Sequence, residues 1–322
     1  MTDFLLLEEI SKLIGRLERP RLMHRKGICA GGYFRPYMSL SDYTKAELFL
    51  NPDRATDVAV RFSSMLGGEG TADTSRNIKG LSVKFSHEDG SYDLICQSIP
   101  VYFINDETKF PDLHRALSDK YSFDGGDKRK LWDFAAANPE SINCILRLYS
   151  FCGLSSSFTD IVMYSVNTYI WKNSKDRKYL VRYKWVPLKP NGVENVGDKR
   201  INSIFAEFMA GFDPDIATEQ MISHIESGKF PQYELHVQLI DYEYINDSSY
   251  IKTTLCWNED VIKSFPVGIM KLTKILRDSE DGKKAQHFSP TNLIDGIEMC
   301  GDDFTKVMGY SHNMGANMRG VL

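Results

Sequence analysis

The chain has little that would cross-link it. Its six cysteines, Cys29, Cys96, Cys144, Cys152, Cys256 and Cys300, are spread over the whole length, and none falls in a C-x-x-C pair or a zinc-type cluster. That spacing excludes a disulfide scaffold and predicts reduced, mostly buried thiols in a cytosolic protein. Charge of one sign is also scarce: the net charge is −4 and the pI near 6.0, which gives no electrostatic case for nucleic acid or an anionic membrane as partner. No apolar run is long enough and uncharged enough to span a bilayer, and no secretory signal is expected. Gly67-Gly68-Glu69-Gly70 lacks Walker or dinucleotide spacing, and Asn246-Asp247-Ser248 fits a glycosylation pattern that has no meaning without secretion. H-E-x-x-H and G-x-S-x-G are absent, which removes the common zinc-protease and serine-hydrolase readings. There is no internal repeat or low-complexity tract.

What is present suits a soluble globular protein. The 322 residues are 42% hydrophobic and 25% charged, enough for one large domain or two ordinary ones. Phe4, Leu7, Ile10, Ile14 and Leu17 fall on one helical face, with Asp3 as cap and Pro20 as stop. This segment reads as an amphipathic arm packed on the body or on a second subunit, since its polar face is mixed in sign. Val58, Val60 and Phe62 alternate with Ala59 and Arg61, and Leu81, Val83 and Phe85 with Ser82 and Lys84, which predicts strands. Further strands are expected at 179–185 and 233–239. Helices are expected over 111–152, with Asn138 as a cap before Pro139, over 215–228, and as a short helix before a Gly-rich tail at the end. Strands followed by mixed helices and strands argue for an α+β domain on an antiparallel sheet or barrel.

Several residues carry chemistry. His24 stands in a polar, Gly-containing stretch; a lone His there is more often structural or solvent-facing. Arg21 and Arg61 suit carboxylates, because the guanidinium fork binds them bidentately, although surface ion pairing is the commoner use. Ser63 follows Arg61 by two, so both leave the same strand face. A hydroxyl there can hold one ring nitrogen of His24 and leave the other to move a proton. Lys306 precedes Tyr310 by four, one helical turn, and a cation that close favours the phenolate, the form that binds a metal; the plain reading of Tyr310 is packing.

The order of these and other blocks resembles the catalase superfamily over about residues 20–320. The blocks are Arg21 to Gly27, Val60 to Ser64, Gly70 to Thr74, Gly80 to Phe85, Pro100 to Asp106 with Phe110-Pro111, Leu131 to Phe134, Asn138 to Ser141, Gly228 to Pro231, Phe265 to Gly268, Phe288 to Asn292 and Gly296 to Glu298. The resemblance implies a catalase-like antiparallel β-barrel core with surrounding helices. It implies an N-terminal arm at 1–20 and a single haem domain at 21–322. It implies haem b, with His24 as distal base, Ser63 as its partner, Arg21 and Arg61 on the propionates, Phe110 and Phe288 against the macrocycle, and Tyr310 as iron ligand.

The departures from the family are informative. Gln97 stands where catalases carry the distal Asn, with the expectation that its amide orients the outer peroxide oxygen. Met23 replaces Val, Lys306 replaces an Arg beside the ligand, His312 replaces an Asp, and Arg319 aligns only with a small insertion. The His-Arg-His-Met stretch tied to NADPH is absent, so no NADPH is expected. The chain ends twelve residues after Tyr310, so the extra segments of long catalases are expected to be missing. The resemblance therefore implies a minimal, allene oxide synthase-like enzyme of the peroxide bond, acting on an organic hydroperoxide or specialised metabolite. The alternatives are a small true catalase and a haem binder without catalysis. A homo-oligomer is compatible with the arm.

Overall fold

Alternation along one strand decides which of its faces enters the core. The structure is a computed structural model and describes residues 4–15, 21–87, 90–117, 129–189, 195, 197–244, 248–277, 282 and 285–321. In it β1 (Gly27–Pro36), β2 (Thr56–Ser64), β3 (Lys79–His87) and β4 (Gly90–Gln97) run antiparallel as neighbours, with Arg61 opposite Cys29 and Ser82, and Ser63 opposite Gly27 and Gly80. The order continues through β5 (Met163–Tyr164), past the short β6 (Tyr169–Lys172), to β7 (Lys178–Leu188), β8 (Gln232–Asp241) and β9 (Phe265–Ile275), which pairs back onto β1. Eight of these strands close a ring through the β7–β8, β8–β9 and β1–β9 pairings, while β6 and β10 (Ile297–Met299) extend from β7.

The barrel interior is a packed aromatic core. Val58, Val60 and Phe62 of β2 and Leu81, Val83 and Phe85 of β3 point into it, with Phe34, Trp171 and Trp185. Phe34 meets Phe85 edge-on at 5.4 Å and 83°, a favoured aromatic geometry. Because the inside is full, any site must lie outside the barrel, on the face that carries Arg61 and Ser63.

Helices surround the barrel. They are α1 (Phe4–Gly15), α2 (Phe110–Leu117), α3 (Arg129–Ala137), α4 (Ile142–Tyr149), α5 (Ser203–Phe212), α6 (Ile216–Glu226) and α7 (Asp303–Met318). A second apolar cluster joins Ile10 and Ile14 of α1 to Phe110 and Leu113 of α2 and to Phe304 and Val307 of α7.

Four expectations change in detail. The buried face of α1 is Leu6, Ile10 and Ile14, while Phe4 is 77% exposed; Asp3, Leu17 and Pro20 lie outside the described residues. Asn138 does not cap the next turn: its amide donates back to the Phe134 carbonyl and closes α3. The last helix is long, not short, because the Asp302 side chain caps it and Gly309 is taken into it. A Cβ on Gly309 would lie 2.5 Å from Thr291 Cγ2, so glycine lets α7 press against the 289–292 segment. All six cysteines are free, but only Cys96 and Cys144 are buried and Cys256 is exposed. Among the described residues no helix is long and apolar enough to cross a membrane.

Candidate active site

The outer face of β2, β3 and β4, the segment 286–288 and the helices α1, α2 and α7 enclose a pocket of about 1040 Å³, its solvent-open mouth included. Arg21, His24, Arg61, Ser63, Gln97, Phe110, Phe288 and Arg319 all line it. His24 sits in the left-handed backbone region at φ 58°, its N–H donating to the Met65 carbonyl at 2.9 Å. A non-glycine residue held there costs on the order of 1 kcal/mol, a cost the surrounding contacts must offset. Its Nδ1 lies 2.9 Å from Ser63 Oγ. That contact leaves Nε2 as the nitrogen free for proton transfer. Burial first, and then the charge of Arg61, holds the imidazole well below its ordinary pKa, so it is neutral near pH 7, with Nε2 open to accept a proton.

Three arginines share one wall. Arg61 is 7% exposed, and burial followed by repulsion from Arg21 pushes its guanidinium down to about 9. Its Nη2 donates to the Arg25 carbonyl at 3.1 Å. Arg21 Nη2 donates to the Gln286 carbonyl at 2.8 Å, and Arg319 Nη2 to the same oxygen at 3.3 Å. Burial also lowers Arg21, and brings Arg319 down to about 10. Neither Arg21 nor Arg61 meets a carboxylate at ion-pair distance among the described residues. A buried guanidinium gains from an anion beside it, and among the described residues no carboxylate gives one to Arg21 or Arg61.

Other positions depart from expectation. Gln97 Nε2 donates to the carbonyls of Ile99 at 3.0 Å and Val101 at 2.7 Å. Both amide hydrogens are thereby used, so Gln97 offers the pocket its carbonyl oxygen, an acceptor, in place of the expected donor. Tyr310 and Lys306 are not among the lining residues. The Tyr310 hydroxyl lies 3.2 Å from Ser11 Oγ of α1, and Lys306 Nζ bonds Asp303 at 2.6 Å on the surface. The reason is helix phase. At 100° per residue, Met308, His312, Gly315 and Arg319 share the pocket face of α7, and Tyr310 stands on the opposite one.

Two lining residues had no role in the sequence reading. His114 occupies the apolar stripe Phe110–Leu113–His114–Leu117 of α2, where a polar residue at a core position was the only signal. Neither of its ring nitrogens has a hydrogen-bond partner, and burial, with a smaller push from His312, brings it down to about 3. His312 stands 2.8 Å by Nδ1 from the Phe288 carbonyl, and burial brings it down to about 4.

Comparison with known proteins bears on this pocket. The catalase family profile matches residues 1–319. The chain belongs to the catalase family. It is 31% identical over 315 residues to a catalase of Methanosarcina barkeri, an alignment covering 97% of this chain and 61% of the relative. It is 31% identical to catalase-2 of Bacillus subtilis, over 97% of this chain and 45% of that one. A fungal catalase structure superposes with a TM-score of 0.83 at 25% identity, covering 99% of this chain and 62% of the other. The chain thus spans 61% of the Methanosarcina relative's length and 45% of the Bacillus one.

Haem b is the usual cofactor of this family, and two observations test whether these residues suit it. Half-buried Arg21 and buried Arg61, unpaired with carboxylates among the described residues, match a ligand that carries two carboxylates. The rings of Phe110 and Phe288 give the pocket flat apolar walls. The donor set fits haem in these respects, and in the family's tyrosine ligand it differs, since Tyr310 faces α1.

Proposed function

We propose that this chain is a haem-dependent enzyme that acts on the O–O bond of a peroxide. The observation that carries the reading is His24: neutral, held through Nδ1 by Ser63, and set beside buried Arg61 and half-buried Arg21, neither of which pairs with a carboxylate among the described residues. A pure haem carrier has no use for such a base. Arg21 and Arg61 would hold the propionates, and Phe110 and Phe288 would contact the macrocycle. Haem bound here supplies the redox chemistry of O–O cleavage. His24 Nε2 takes the proton from the peroxide and returns it to the departing oxygen, while Ser63 keeps the ring from rotating as the proton moves.

The substrate we propose is an organic, fatty-acid-like hydroperoxide. Leu22, Met23, Met65 and Val166 line the pocket, and methionine adapts to irregular apolar groups. Gln97, with its amide hydrogens committed to Ile99 and Val101, offers no donor to the outer oxygen of hydrogen peroxide. The second reading, disproportionation of hydrogen peroxide, is favoured by relatives named catalase. Oxygen release from hydrogen peroxide and consumption of a fatty-acid hydroperoxide, measured on the haem-loaded chain, separate the two. Slow oxygen release with faster hydroperoxide loss is expected; rapid oxygen release would overturn the substrate proposal. Turnover unchanged by His24→Ala would overturn the enzymatic one.

A further inference from the structure

We propose that His312, and not Tyr310, supplies the protein ligand to the haem iron, an inference that rests on the haem reading above. His312 lines the same pocket as His24, from α7, while Ser63 of β2 holds His24. Its Nδ1 is anchored by the Phe288 carbonyl at 2.8 Å, and its Nε2 has no partner among the described residues. A histidine that donates one ring N–H to a backbone carbonyl and presents the other nitrogen to a cavity is the usual form of a metal-ligating imidazole, with tautomer and ring orientation already set. Imidazole is also a known axial ligand of haem iron.

The rival ligand is held away. Tyr310 shares its face of α7 with Met314, and Ser11 of α1 reaches both, at 3.2 Å from the hydroxyl and 3.0 Å from Sδ. Exchanging Tyr310 for His312 in the pocket needs α7 to turn by roughly 160° about its axis. That turn would pull Phe304 and Val307, both fully buried, out of their cluster and break the close contact of Gly309 with Thr291. Lys306, the cation that would favour a phenolate, is exposed and paired with Asp303. A neutral imidazole binds iron without giving up a proton and needs no such help.

Resonance Raman spectra of the ferrous, haem b-loaded chain test the assignment. An iron–imidazole stretch is expected in the unmodified protein, shifted when the chain carries 15N-histidine. It should persist in Tyr310→Phe, disappear in His312→Ala, and return when free imidazole is added to that variant. Tyrosinate bands in the ferric protein that vanish in Tyr310→Phe would overturn the proposal, and so would an iron–imidazole band that survives in His312→Ala. If His312→Ala fails to fold, persistence of the isotope-shifted band in Tyr310→Phe, His24→Ala and His114→Leu decides the matter, and its loss in either histidine variant would overturn the assignment. Absence of any Soret band on adding haem to the unmodified chain would instead remove the haem reading, and this inference with it.

Discussion

Gly80 and His24 contend for one volume. A Cβ at position 80 would lie 2.7 Å from His24 Cε1, 2.9 Å from its Nδ1 and 3.0 Å from Ser63 Oγ. Real Cβ atoms do not approach that closely, so alanine at 80 must push the ring off Ser63. The Gly80 backbone lies outside the left-handed region, within a regular ladder opposite Ser63 and Gln97, so it accepts a side chain without backbone strain. For Gly80→Ala we expect peroxide turnover to fall on the order of 100-fold, the cost of about 1 Å of misplacement in a catalytic group. The melting temperature of the haem-free chain should move little. A large loss of stability alongside the loss of rate would count against this specific account.

Arg61→Met should separate binding from folding. The substitution removes a buried guanidinium that pairs with no carboxylate among the described residues, so the haem-free chain should gain about 1–3 kcal/mol in urea unfolding. Haem affinity should fall by roughly 10–100-fold, the worth of a charge-assisted hydrogen bond to a carboxylate. A merely structural arginine would move stability the other way and leave haem titration unchanged.

The parts of this site that were readable in the sequence are those whose geometry is local. Period-two alternation put Arg61 and Ser63 on one face of β2, and the ladder then set Ser63 opposite Gly80. The pairing of β9 with β1, which closes the barrel, joins segments more than two hundred residues apart and leaves no local mark. The same holds for α7. Spacing alone relates Lys306 to Tyr310, but the face that α7 turns to the pocket is set by Phe304, Val307 and the Gly309–Thr291 contact, which come from packing. For this reason Tyr310 looked like a pocket residue and His312 like a lost aspartate. His114 was hidden differently, as one polar residue on a stripe that otherwise reads as core.

Gln97→Asn tests the changed distal amide. The shorter side chain cannot keep both contacts, at 3.0 Å to Ile99 and 2.7 Å to Val101, so the chain should lose about 1–2 kcal/mol of stability. The released amide hydrogens would then face the pocket as donors. Oxygen release from hydrogen peroxide should rise relative to hydroperoxide consumption. An unchanged ratio would remove position 97 from substrate choice.

His114 offers the clearest pH signature. Both ring nitrogens are buried without a partner, which costs about 1–3 kcal/mol, and burial holds the folded-state pKa at about 3. The unfolded residue titrates near 6.5. Below that pH the unfolded chain takes up a proton that the folded chain refuses, so stability falls as pH drops towards 3, by roughly 1 kcal/mol per unit. His24, held well below its ordinary value, adds a slope of the same sign. His114→Leu should therefore stabilise the haem-free chain at pH 7, and by about 2 kcal/mol more at pH 5 than at pH 7. Urea unfolding at the two pH values checks both parts. If the stabilised variant also turns over peroxide more slowly once loaded with haem, the two unpaired nitrogens are a cost that the pocket keeps for its chemistry; if turnover is unchanged, His114 is a core defect and nothing more.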